Sequence, residues 1–341
     1  AGTAAGIITL YATDQASLGM YSIYYADERG PLADYEEITT LNVSVVGQGN
    51  AASYNAFIAQ NMLPSGATRI VAMQNGDIVA SYAFAESKVV DYGEPLYAFT
   101  ALSDIHLQNN NADTDGYVDF QKALAFLADY DIDFGCITGD LGMNSTEVEL
   151  QLYQQVIDSY ATVPFHVVKG NHDKSHSQER WKTYTGRDPN YSMEIDGDVF
   201  VFMSFDQIND VSSNASVNYA KTLSWLESTL AEAAGSRVFL FMHLPIPGYA
   251  GLMPGSYYGF TSDSTEPAQI IKMINDCGNV VVFSGHTHFN FATQEKYPNI
   301  TVRPIAESHS YTVHIPSAAY PRDSNSVQKS LESEGYIVEV Y

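Results

Sequence analysis

The chain has 341 residues, of which 45% are hydrophobic, and a length beyond what one core usually serves predicts two domains. No apolar run approaches the ~20 residues that cross a bilayer as a helix, so no transmembrane helix is expected. Acidic residues number 40 against 16 basic ones, a net charge of -24 that repels polyanions and excludes a nucleic-acid-binding role, because such binding rests on Lys and Arg neutralising phosphates.

The opening AGTAAGIITL is short and uncharged and does not read as an export leader. Abundant Tyr, Ser, Thr and Asn with little Lys nevertheless point to an extracytoplasmic, bacterial setting. Residues 1–92 read as short alternating strands: GIITLYAT, GMYSIYYA, ITTLNVSVV, ASYNAFIA, TRIVAMQ and DIVASYAF. Turn clusters such as GQGN and NGD separate them. Period-two patterning of this kind predicts a small all-β sandwich of the immunoglobulin or fibronectin III type, an accessory scaffold or docking module. It contains no His and no Cys with which to build a transition-metal site.

KVVDYGEP reads as a linker, and 93–341 as the second domain. There LYAFTALS is a buried strand and YVDFQKALAFLADY an amphipathic helix. The strand DFGCIT, the helix TEVELQLYQQVIDSYA and the strand PFHVVK follow, then paired strands at YSMEI and VFVFMSF. The helix YAKTLSWLESTLAEAA leads to RVFLFM, and the helix PAQIIKMIND to VVVFS, before a β tail that ends at Tyr341 in a strand-like run expected of a longer chain. Strand–helix alternation predicts layered α/β architecture. Cys136 and Cys277 fall in or beside apolar strands and are expected to be unpaired.

Five of the nine His lie in polar clusters just after buried strands. The clusters are Asp104 and His106 in SDIHL, Asp140 in TGDL, Asn171, His172 and Asp173 in GNHD, His243 in MHLP, and His286 and His288 in GHTH. Ligands of open α/β sheets gather beyond the carboxyl ends of the strands, so these loops are expected to converge along one edge of one sheet. Imidazole and carboxylate without clustered Cys suit Zn, Mn, Fe or Ni. On extended backbone the first and third residues of D-x-H and H-T-H would face the same way. Gly139, Gly170 and Gly285 precede candidate ligands, where the chain must turn off a strand.

The ordered set SDIHL, GDLG, GNHD, MH and GHTH resembles the calcineurin-like metallophosphoesterase superfamily. That resemblance implies a four-layer α/β/β/α sandwich after the all-β domain, with a centre of two divalent or trivalent transition-metal ions. Carried over position by position, it implies that Asp104, His106 and His288 hold one metal, and that Asn171, His243 and His286 hold the other. Asp140 would bridge them. His172 would stabilise the transition state or protonate the leaving group, and Asp173 would orient it. Phosphate esters would be hydrolysed by a hydroxide held between the metals, which the physics of two closely spaced cations sharing an anion allows. Purple acid phosphatases carry a Tyr where this chain has Met143, and Ser/Thr protein phosphatases carry Asp-Arg-Gly there, so both subfamilies are disfavoured. Small phosphodiesterases and phosphomonoesterases stay open, on small or glycan-linked substrates. The competing class is a surface binding or adhesion protein using the β-sandwich, with an inactive phosphoesterase-like domain. A relic of that kind would be expected to lack ligands, and here every ligand position is filled.

Weaker signals remain. NADTDGYVD resembles the start of a Ca2+ loop, but its twelfth position is Lys122, so the EF-hand pattern fails. His166 reads as a core residue. Arg180, with His176 and Trp181, follows GNHD closely and is a candidate phosphate contact. Tyr249, Tyr257 and Tyr258, in the loop after His243, are candidates for stacking on an organic leaving group. His309 and His314 sit in the β tail, from which one of them is expected to approach the site, and neither is assigned a role.

Overall fold

Glycine-containing dipeptides and alternating apolar residues set the local structure before any long-range contact does. The computed structural model describes residues 3–12, 19–27, 30–32, 38–43, 52–62, 67, 69–83, 94–108, 115–205, 215–252, 257, 259–260, 262–296, 302–305, 308–323 and 333–341. Packing separates two units, Ala1–Gly93 and Glu94–Tyr341.

The first unit contains β1 (Thr3–Ala12), β2 (Gly19–Asp27), β3 (Gly30–Pro31), β4 (Thr39–Val43), β5 (Ala52–Met62), β6 (Arg69–Gln74) and β7 (Asp77–Ala83). β1 pairs with β5, while β3, β2, β6 and β7 lie side by side with β4 also on β2, and every pairing is antiparallel. The β6–β7 hairpin closes on Asn75-Gly76 with φ of 53° and 89°, the left-handed pair that a two-residue turn of this hand requires. Ile23 and Val71 are buried beneath this sheet.

The second unit begins with β8 (Tyr97–Leu102), α1 (Asp115–Leu127), β9 (Phe134–Ile137), α2 (Glu147–Tyr160), β10 (Phe165–Val167) and α3 (Gln178–Thr185). It continues with β11 (Tyr191–Ile195), β12 (Asp198–Met203), α4 (Ala215–Glu232), β13 (Val238–Met242), α5 (Glu266–Cys277) and β14 (Val280–Ser284). α6 (Phe291–Lys296), β15 (Val302–Ile305), β16 (Ser310–His314) and β17 (Tyr336–Val340) complete it. One sheet has the order β10-β9-β8-β17, the other β11-β12-β13-β14-β16-β15. The central strands of each are parallel, as strand–helix–strand connections demand.

Period two then builds four layers. Tyr97, Phe99 and Ala101 of β8 point into a core shared with Phe200, Phe202, Phe239, Phe241 and Phe283 of the other sheet, while Ala98 and Leu102 face α1 and α2. On the second sheet Val201, Leu240 and Val282 face α4 and α5. Phe202, Phe241 and Phe283 stack across three strands at centroid spacings of 5.0 and 5.1 Å, and Phe99 meets Phe241 and Phe283 edge-on at 6.0 Å. Each such pair adds roughly 0.5–1.5 kcal/mol beyond its buried area. The layered α/β/β/α arrangement follows, and with it a correction. The metal-ligand loops do not share one edge of one sheet: β8, β9 and β10 carry three of them, and β13 and β14 of the facing sheet carry the others.

Where the strands start, the sheets are pinned together. Tyr97 donates to Asp198 Oδ2 at 2.5 Å, and Arg237 Nη2 donates to the same oxygen at 2.6 Å. Cys136 and Cys277 are buried free thiols. Among the described residues no helix is long and apolar enough to cross a membrane.

Candidate metal centre

The loops that leave β8, β9, β10, β13 and β14 meet at one place. Asp104 Oδ1, His106 Nε2, Asp140 Oδ2 and His288 Nε2 form one group, and Asp140, His243 and His286 form a second, with the ligand atoms of each group within 4.8 Å of one another. Asp140 belongs to both. Asn171 Oδ1 lies 2.9 Å from His243 Nε2, which is also 3.1 Å from His286 Nδ1. All seven sequence-nominated ligand residues are therefore brought together.

The backbone achieves this in a way that corrects the expectation of extended strands. Asp104, His106, Asp140, His286 and His288 all have left-handed φ, of 55°, 45°, 54°, 75° and 59°. Left-handed non-glycine residues cost about 1 kcal/mol or more each and persist only where the surroundings over-determine them. Here main-chain bonds do so: Asp104 N donates to the Gly139 carbonyl at 3.0 Å and His106 N to the Asp140 carbonyl at 2.9 Å. The glycines serve close approach more than turning. A Cβ on Gly170 would sit 2.1 Å from Asp140 Oδ1, and one on Gly285 would sit 1.8 Å from Ser103 Oγ. Only Gly139, with φ of 102°, needs its conformational freedom as well.

Surrounding groups aim each ligand atom. His243 Nδ1 donates to the Thr138 carbonyl at 2.7 Å and His288 Nδ1 to that of Tyr320 at 3.2 Å, which turns both Nε2 atoms toward the carboxylates. Asp104 Oδ2 accepts from Ser103 Oγ at 2.5 Å and from His286 N at 2.9 Å, and Asp140 Oδ1 accepts from His172 N at 2.8 Å. The remaining oxygens point at the imidazoles. Asp104 Oδ1 accepts no hydrogen bond of good geometry, although His288 Nε2 is only 3.1 Å away.

Such a set fits cations. His106 Nε2 and His288 Nε2 lie 3.0 Å apart, close enough for one cation to take both nitrogens as ligands. Two carboxylates, both essentially without solvent contact, need more positive charge than a protonated His243 supplies. Burial pushes the Asp104 carboxyl up, but His288 and His106 outweigh it and hold it well below the usual carboxylate range. Burial likewise opposes ionisation of Asp140, yet His243 brings it down to about 2. Burial also disfavours a charged His243, and Asp140 overcomes it, pushing the imidazole up to about 9. His286, by burial first and His243 second, is pushed down to about 3. The pocket demands cationic charge and offers lone pairs to receive it.

His172 lines the same cavity, of about 490 Å³, without joining either ligand group. Its Nδ1 donates to the Met143 carbonyl at 2.6 Å, so Nε2 is the nitrogen left for substrate. The expectation that Asp173 orients it is corrected. Asp173 is fully buried and accepts from Gly170 N at 2.9 Å and from Leu141 N and Gly142 N at 3.1 Å, tying the GNHD turn to the GDLG loop. Burial, and then the charge of Asp140, push its carboxyl up to about 7. A backbone carbonyl carries no side-chain signature, so the sequence held no sign of Met143's role. That loop is itself braced by buried Glu149, which accepts from Asn144 N and Thr146 N at 3.0 Å, and by Ser145, whose hydroxyl donates to the His172 carbonyl.

Other nominated residues fall elsewhere. Arg180 sits on α3, 3.6 Å from Glu147, and does not line the cavity. Tyr249 and Tyr257 line a separate cavity of about 320 Å³ with Pro267 and Ile271, and Tyr258 lies outside the described residues. The first part of the Ca2+-like loop, 111–114, is likewise outside them. His166 and His176 are buried away from the ligand groups, and His309 is on an exposed turn. His314 is buried and reaches the ligand loop indirectly, with Nε2 2.7 Å from Thr287 Oγ1, between His286 and His288. Gln108, Phe289, Tyr320 and Arg322 also line the ligand cavity and were not singled out by sequence.

A profile of the calcineurin-like phosphoesterase family matches residues 97–290. A protein of Arcobacter nitrofigilis described as a probable glycerophosphodiester phosphodiesterase is 28% identical over 153 residues, 42% of this chain and 55% of that protein. The chain thus spans little more than half of that relative's length. A crystal structure of a dimetal phosphatase from Danio rerio shares the fold at 12% identity, with a TM-score of 0.52, over 73% of this chain and 94% of that one. Spanning more than half of the sequence and joined to the clustered ligands, the profile match places the chain in the calcineurin-like phosphoesterase family.

Proposed function

We propose that this protein hydrolyses small phosphodiesters at a centre of two transition-metal ions, of Mn, Fe, Zn or Ni type. Asp104, His106 and His288 would hold one ion, Asn171, His243 and His286 the other, and Asp140 would bridge them. The observation that carries this reading is the shared position of Asp140, the one carboxylate common to both ligand groups. Bound there, the two ions would polarise the phosphoryl oxygens and lower the pKa of water to near neutrality.

The chain's own residues do the rest. Asp104 and Asp140 supply anionic charge in a site that excludes bulk water, while neutral Asn171 adds an oxygen without cancelling more of the cationic charge. His172, fixed through Nδ1 to Met143, presents Nε2 to the substrate, where it meets charge developing on the phosphoryl group or hands a proton to the leaving oxygen. Asp173 keeps His172 and Asp140 in register through the backbone.

A diester is favoured over a monoester on charge. A monoester dianion requires more compensation than a diester monoanion, and the described wall of the cavity carries one fixed cation, Arg322, in a protein of net charge -24. The Arcobacter nitrofigilis relative's description supports the same choice. The residues 1–92 would act as an accessory module of an extracytoplasmic enzyme, outside the chemistry. The test is turnover of p-nitrophenyl phosphate against bis(p-nitrophenyl) phosphate after loading with Mn2+, Zn2+ or Fe2+. A higher kcat/KM on the diester is expected. Preference for the monoester would refute the diester reading, and no turnover of either with any metal would refute hydrolysis at this centre.

A further inference from the structure

The family match ends at residue 290, yet part of the ligand cavity's wall comes from farther along the chain. Tyr320 and Arg322 reach it by main-chain bonds to the GHTH loop. Arg322 N donates to the His288 carbonyl at 2.6 Å, the Arg322 carbonyl accepts from Asn290 N at 2.9 Å, and Arg322 pairs with Phe289 in an isolated parallel bridge. The Tyr320 carbonyl accepts from His288 Nδ1, and its hydroxyl accepts from Gln108 Nε2 at 3.0 Å. Arg322 is therefore anchored to the loop that carries two candidate metal ligands, and it lines the cavity.

It is the one Lys or Arg on the described wall of the ligand cavity. Among the described residues Arg237 pairs with Asp198, Lys182 with Asp188 and Arg180 with Glu147. Arg322 forms no ion pair with a described carboxylate. A guanidinium with no described carboxylate partner, on a cavity lined by metal-ligating groups, matches an oxyanion that arrives there. Its planar fork suits two oxygens of one phosphoryl group. The plain alternative is a solvated surface arginine, but such a residue needs no pair of main-chain bonds to a ligand loop.

We infer that Arg322 binds the phosphoryl group of the substrate and fixes its orientation at the metal centre. This rests on the reading of the centre as a phosphodiesterase. Arg322→Ala should lower kcat/KM for bis(p-nitrophenyl) phosphate by about 10- to 100-fold, the loss of one or two charge-assisted hydrogen bonds, and chiefly through KM. Arg322→Lys should restore part of it, because a point charge replaces the fork. Inorganic phosphate titrated into the metal-loaded protein by calorimetry should bind more weakly by a similar factor, with metal content unchanged by elemental analysis. Phosphate affinity and KM within twofold of the parent would overturn the inference, as would loss of metal from Arg322→Ala. If the parent hydrolyses neither ester, the phosphodiesterase reading fails, and the phosphate titration still decides whether Arg322 binds the oxyanion.

Discussion

Asp140 and His172 stand 2.8 Å apart, backbone nitrogen to carboxylate, yet they face different tasks. Asp140 Oδ2 lies 3.3 Å from His243 and 3.6 Å from His106, between the two ligand groups, so Asp140→Asn removes the charge both share. That variant should bind fewer than two metals per chain by elemental analysis, and full occupancy would remove the bridging assignment. His172→Ala touches no ligand atom. It should keep both metals and lose turnover by about 10²–10⁴-fold, the range of a positioned proton donor. Metal loss in that variant would show that His172 is a ligand instead. The sequence nominates these residues because each stands in a short cluster directly after a strand, while their separate roles come from the family resemblance. Met143's carbonyl and the three amides that hold Asp173 were not legible in it, since main-chain groups are the same in every residue.

Loop crossings, more than helices or strands, set the geometry of the centre at the level of elements. The GDLG loop after β9 and the GNHD turn after β10 pack so closely that a Cβ on Gly170 would overlap Asp140 Oδ1 at 2.1 Å. Gly170→Ala has an allowed backbone, since φ is -98°, so the added methyl acts by displacing Asp140, whose carboxylate oxygen and backbone nitrogen would lie 2.1 and 2.5 Å away. Metal affinity should fall by an order of magnitude or more, by the analogy of displaced supporting groups, while the fold survives. Parental affinity measured by metal titration would mean that the loops slide apart without harm. The sequence marks this glycine but not its reason: closeness between β9 and β10 loops is a property of the parallel pairing. The same limit explains the tyrosines. Tyr249 follows His243 in sequence, but the loop after β13 carries it to a different cavity.

Across the whole second unit, the two sheets meet through an aromatic layer, and His166 is embedded in it. Its ring lies 5.3 Å from Phe202 and 5.8 Å from Phe134, with Nδ1 3.3 Å from the Tyr191 hydroxyl. Burial first, then Arg187, push its pKa down to about 4. An unfolded chain binds that proton near pH 6.5, so the neutral buried ring stabilises the fold above pH 6.5. That contribution is lost as pH falls from 6.5 toward about 4. At about 1.4 kcal/mol per pKa step the limit is about 3 kcal/mol. His166→Phe should flatten the fall in stability between pH 6.5 and 4 in urea melts, and an unchanged slope would mean that other groups carry the acid sensitivity. His176, also brought down to about 4 by burial, leaves a residual slope of the same sign.

Strand and helix periodicity, the five loop clusters and the metal-type ligand set were readable in the chain itself, because period, composition and spacing are local properties. Which strands join which of the two facing sheets was not, nor was the left-handed backbone at Asp104, His106, Asp140, His286 and His288. Nor could order along the chain show that Arg322 lines the cavity and Arg180 does not. Those outcomes depend on which segments, far apart in sequence, pack together. Tertiary contacts pinned the strained loops, aimed the imidazole nitrogens through carbonyls of Thr138 and Tyr320, and carried residues from beyond the family's matched segment to the metal centre.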